Sequence, residues 1–133
     1  MQARFVRALS SLDDIFAFTE EVLAGRTVAD RHLYAIKLVI EELFTNMVKF
    51  NPDGPETIAL EMTHLDDAVQ VRMTDREPAP FDVTEARTLD TEAPIERRDA
   101  NGMGLFLVQR FVDAMDYAYR DGTSTITFVK RLG

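Results

Sequence analysis

The chain contains no cysteine among its 133 residues. That absence excludes disulfides, thiolate metal centres and a cysteine nucleophile, and it fits a reducing, cytoplasmic setting. Positive charge is also scarce: 15 Lys and Arg face 23 Asp and Glu, a net charge of −8. Such a chain is not expected to bind nucleic acid or an anionic membrane through bulk charge. A nucleotide remains open to it, because phosphate can be held by backbone amides and a cation. No apolar run approaches the length of a bilayer span. The opening "MQARFVRALSSLDDIF" meets Asp13 and Asp14 before any long apolar stretch, so it does not read as a signal peptide. His32 and His64 are the two histidines, and neither falls in a ligand spacing, so a surface or packing role is expected of both.

What is present is a soluble globular composition. Hydrophobic residues make up 46% and the mean hydropathy is −0.14, so a single domain spanning 1–133 with a real core is expected. "ARFVRAL" alternates as a first strand, and "SSLDDIFAFTEEVLAG" reads as a helix with serine caps, early acids and a glycine stop. "ADRHLYAIKLVIEELFTNMVKF" is a longer helix, with Asp30 the expected cap and "NPDGP" the stop. "TIALEMTH" and "AVQVRMTD" form a hairpin through Leu65, Asp66 and Asp67. "DANGMGLFLVQRFVDAM" reads as an amphipathic helix, and "YAYRDGTSTITFVKRL" as a hairpin turning at Asp121 and Gly122. Helices grouped against a mostly antiparallel sheet predict a two-layer α+β sandwich.

Between the hairpin and the glycine-led helix lies Arg76–Asn101, with Pro78, Pro80, Pro94 and the run "ERRD". Structureless loops of that length are uncommon in compact domains unless they are functional or disordered. A short helix around Val83–Leu89 is one expectation for it, and Arg97 and Arg98 could close over phosphate or simply be solvated.

On the long helix, Leu33, Ile36, Val39, Ile40, Leu43, Phe44, Met47 and Phe50 share one apolar arc, which is core. Glu42 and Asn46, four apart, share a face bordering that arc. A carboxylate and a carboxamide there could serve a metal–phosphate site, though the same pair is commonplace on a solvated helix shoulder. Asp75, ending its strand, is either a loop cap or an acceptor for an exocyclic amine such as that of adenine. Gly102 and Gly104 are either a turn or a helix N-terminus cleared for phosphate.

Taken in order, these segments resemble a known family. "EELFTN" is similar to the N-box, "TDREPAPFD" to a degenerate first glycine box, and "NGMGLFLV" to the second glycine box of the GHKL (Bergerat-type) ATP-binding fold. Within it, the chain most resembles the small anti-sigma-factor serine/threonine kinases of bacterial partner switching. The resemblance implies ATP and Mg²⁺ as cofactors, with Asn46 the Mg²⁺ ligand. It implies Glu42 as general base, Asp75 on the adenine amine, and Asn101, Gly102, Met103, Gly104 and Leu105 around phosphate, with 76–101 as the ATP lid. The implied activity is phosphorylation of a serine on a small STAS-type anti-sigma-factor antagonist, with a sigma factor as further partner and homodimerisation common in the family.

Two positions depart from the family pattern. Glu77 stands where the first glycine box carries glycine, and Phe50 where the N-box often carries a histidine or basic residue. Two readings follow: an ATP-dependent protein kinase with anti-sigma activity, or the same fold holding a partner with weak or absent catalysis. The ATPase half of a histidine kinase is disfavoured, since no phosphoacceptor helix pair precedes the first strand in this sequence.

Overall fold

A computed structural model describes residues 1–77 and 108–132. Among them, β1 (Gln2–Val6) is followed by a 3-10 turn, α1 (Leu12–Leu23), α2 (Asp30–Phe50), β2 (Thr57–His64), β3 (Ala68–Arg76), helical residues 108–111, β4 (Ala114–Arg120) and β5 (Thr123–Arg131). The strands form one antiparallel sheet in the order β1-β2-β3-β5-β4.

Alternation divides the strand side chains between two faces. Ile58, Leu60 and Met62, then Val69, Val71 and Met73, then Ile126 and Phe128, all point to one side and are buried. They share a single core with Ile15, Val22 and Leu23 of α1 and with Ile36, Val39, Ile40, Leu43, Phe44 and Met47 of α2. Each large side chain buried this fully contributes about 1.5–3 kcal/mol, which is what holds the helix layer to the sheet. The other face carries Arg4, Ala59, Thr74, Thr125 and Ala118 in one cross-strand row. This is the two-layer α+β sandwich that the sequence predicts. No helix among the described residues is long and apolar enough to cross a membrane.

Four local expectations are corrected. Asp30 does not cap α2: the cap position is Ala29, without a side-chain hydrogen bond, and Asp30 opens the helix, where its charge still favours the positive end of the dipole. Ser11 does not accept from α1; its hydroxyl donates to the Val6 carbonyl at 2.8 Å, because a preceding 3-10 turn brings it back toward β1. Phe50 lies outside the core at 51% exposure, since the buried stripe of α2 ends at Met47. Met115 belongs to β4, not to the preceding helix. Its helical spacing from Phe111 is coincidental, and it faces inward because strand parity puts Met115, Tyr117 and Tyr119 on the covered side. The β4–β5 turn forms as expected, with Asp121 at φ 53° and Gly122 at φ 76°, the left-handed pair that tight hairpins need.

Candidate functional site

The last turn of α2, the loop after it, and the end of β3 meet around a buried carboxylate. Asp75 is forced inward by the parity of β3, following Val69, Val71 and Met73 onto the core face, and it is 3% exposed. A carboxylate there must find partners or cost several kcal/mol. Arg7, one residue beyond β1, supplies the charge: its guanidinium pairs with Asp75 Oδ1, and both side chains are almost fully buried. The same guanidinium donates to the Pro55 carbonyl at 2.7 Å and to the Met47 carbonyl at 3.1 Å. One side chain therefore ties β1, the end of α2, the following loop and β3 together.

Asn51, which ends α2, completes the network. Its Nδ2 donates to the Arg76 carbonyl at 2.6 Å and reaches Asp75 Oδ2 at 3.4 Å. The Arg76 amide donates to Asp75 Oδ1 at 2.9 Å. Oδ1 is thus saturated, while Oδ2 holds one long contact and keeps acceptor capacity. Ser124, opposite Asp75 in the β3–β5 register, has a buried hydroxyl without a partner among the described residues. Gly54 is required by close approach: a Cβ there would stand 2.5 Å from Asn51 Nδ2 and 2.7 Å from the Arg7 guanidinium carbon.

Beside this network an open cleft of about 410 Å³ is lined by Asn51, Asp53, Gly54, Arg76, Glu77 and Gly122. Glu77 is fixed through its main chain, donating to the Gly122 carbonyl at 2.9 Å and accepting from the Tyr119 hydroxyl at 2.8 Å. Its φ is not positive, so the backbone here does not demand the family's glycine. Burial, reinforced by Asp75, pushes the Glu77 carboxyl up to about 7, with Arg7 opposing the rise.

Further back on α2, Asn46 is 3% exposed, and its Nδ2 donates to the Glu42 carbonyl at 2.6 Å. Its Oδ1 is buried, with no partner among the described residues. An orphaned amide oxygen is a ready ligand for a hard cation. Glu42 is partly buried, and desolvation followed by the nearby charge of Glu41 raises its pKa. Its proton affinity exceeds that of an ordinary surface glutamate, the direction a general base needs.

Glu42, Asn46 and Asp75 thus fall on two elements that Arg7 and Asn51 lock together. Asn101, Gly102, Met103, Gly104 and Leu105, and nearly all of the expected lid including Val83–Leu89, lie outside the described residues. Sequence reasoning missed Arg7, Asn51, Gly54 and Tyr119. The strand parity of β3 was a usable signal that Asp75 needs a buried cation, but it does not choose among 15 Lys and Arg.

Fold and residues define a GHKL-type ATP-binding domain: the chain belongs to the histidine kinase-like ATPase domain family, which it matches over residues 5–130. Among individual proteins it is similar to the serine/threonine-protein kinase BtrW of Bordetella bronchiseptica, 27% identical over 124 residues, covering 92% of this chain and 86% of BtrW. Its fold is like that of SiaB–SiaC from Pseudomonas aeruginosa, with a TM-score of 0.67 at 13% identity, over 97% of this chain and 88% of the other. It is also like that of the RsbU and RsbW domains of Rv1364c from Mycobacterium tuberculosis, with a TM-score of 0.64 at 16% identity. There the match covers 99% of this chain and 32% of the mycobacterial chain, so this chain spans about a third of that relative.

Proposed function

We propose that this protein is an ATP-dependent serine/threonine kinase that phosphorylates a serine on a small STAS-type partner and acts as an anti-sigma factor in bacterial partner switching. The observation that carries the reading is Asn46 Oδ1, a buried oxygen with no partner among the described residues, four residues from a carboxylate of raised proton affinity in a chain of the ATPase family. The kinase name of BtrW and the pairing of SiaB with SiaC support it from the side of relatives.

Asn46 fits Mg²⁺, since its oxygen is neutral, hard and otherwise unsatisfied. The ion, when bound, supplies neutralisation of phosphate charge. Glu42 takes the proton of the acceptor hydroxyl, and its desolvation makes it a better acceptor near neutral pH. Asp75 Oδ2 accepts from the adenine amine as the 3.4 Å contact from Asn51 gives way, while Arg7 holds Oδ1 and so the plane of the carboxylate. Asn101 through Leu105 supply main-chain donors to phosphate.

Calorimetry with Mg·ATP and phosphotransfer to a co-encoded STAS-type protein test the scheme. Glu42→Ala is expected to keep ATP affinity within a few-fold and to lose transfer by about 100-fold or more. Asn46→Ala is expected to weaken ATP binding in Mg²⁺ and leave it unchanged in EDTA. Absence of ATP binding at millimolar nucleotide ends the kinase reading. It leaves the partner-holding module, for which Glu77, a carboxylate at the rim of the cleft, is the favouring observation.

A further inference from the structure

On the face of the sheet away from the helices, two arginines stand at the edge of a depression. Pairing between β2 and β3 ends at Ala59↔Thr74, although β1–β2 pairing continues to Val6↔Thr57 and β3–β5 pairing to Arg76↔Thr123. The cause is the buried network: the Arg76 amide and carbonyl are turned to Asp75 and Asn51, so they are withdrawn from the ladder toward β2. The sheet parts there, and a depression of about 210 Å³ is lined by Ala59, by Thr57, Thr74 and Thr123, by Arg4 and Arg76, and by Pro55 and Asp75, the last with its carboxylate already paired to Arg7.

Arg4 and Arg76 are exposed, and neither side chain has a hydrogen bond or ion pair among the described residues. In a chain with a surplus of acids this is informative: Arg7 has Asp75, and Arg72 has Glu61 at 3.6 Å. Two unpaired guanidinium groups beside three threonines offer more donors than a planar carboxylate can use. They suit a tetrahedral oxyanion, whose oxygens can each accept a charge-assisted hydrogen bond.

We infer that the Arg4–Arg76 depression is a binding site for a phosphoryl group, on the opposite side of the sheet from the Glu42–Asn46 helix. The ligand class is a phosphate monoester or free phosphate. Arg76 also lines the cleft beside Asp75, so it is a wall common to both depressions. The inference does not rest on kinase activity.

The test is a titration of the full chain with inorganic phosphate at constant ionic strength, following arginine Nε–H and backbone amide resonances by NMR. The expected result is a saturable shift at Arg4, Arg76, Thr74 and Thr123. Arg4→Gln and Arg76→Gln should each weaken binding by at least about tenfold, with Arg4→Lys intermediate. Arg131→Gln, on the same face at the far end of β5, should leave it unchanged. All these side chains are exposed, so unchanged melting of each variant serves as the folding control. Separate arms with a phosphoserine peptide, its unphosphorylated form and ATP show which source of phosphate binds more tightly than the free ion. Shifts that do not saturate, that survive Arg4→Gln/Arg76→Gln, or that acetate reproduces at equal strength overturn the assignment.

Discussion

Replacing Arg7 by methionine tests the central claim about how this fold is held together. Methionine keeps much of the aliphatic bulk and removes the charge, so the loss falls on Asp75 and on the Pro55 and Met47 carbonyls. Asp75 has no exposed side-chain surface, and breaking a buried pair from one side costs about 3–5 kcal/mol. For 133 residues at about 2.1 cal/mol/K each, the unfolding entropy near the midpoint is about 0.28 kcal/mol/K. The expected fall in Tm is therefore about 11–18 °C. Arg7→Met/Asp75→Asn should recover at least about 2 kcal/mol relative to Arg7→Met, a coupling read from a double-mutant cycle. Far-UV circular dichroism suits the measurement, since the chain has no tryptophan. A fall of under about 3 °C, or a double variant no better than the single, would refute the reasoning.

Glu77 gives a signed pH effect. Its folded pKa lies above its unfolded value, so the native state binds the extra proton between about 4.5 and about 7, and stability falls as pH rises through that window. Glu77→Gln should remove about 1 kcal/mol of that slope, a figure reduced for solvent screening on its open side, and should be the more stable protein at pH 8. Urea titrations at pH 5 and pH 8 decide it, and equal slopes in both proteins would count against the assigned environment. Gly54→Ala places a methyl against Asn51 and a guanidinium held by three partners, and should cost about 1–3 kcal/mol in chemical denaturation. A neutral result would mean that the loop gives way without disturbing Arg7.

The sequence by itself determined the layers. Alternation in β2, β3 and β5 and the 3.6-residue stripe of α2 as far as Met47 settle which side chains enter the core, since burial acts on local periodicity. It also carried the family resemblance, through the order of "EELFTN", "TDREPAPFD" and "NGMGLFLV" along the chain. Tertiary structure decided the partners. Arg7 reaches Asp75 across 68 positions, and Asn51, legible only as turn chemistry, proves to be the clasp on Arg76. Met115 looked helical because a core position satisfies either period; only pairing with Phe128 across the sheet made it strand. Asp75 was legible as a strand-end carboxylate open to an amine, but which of its oxygens remains available depends on a cation and an amide that arrive from distant elements. The physical reason is one of range: periodicity is written in neighbours, whereas a buried charge is settled by whatever the fold brings within hydrogen-bond distance.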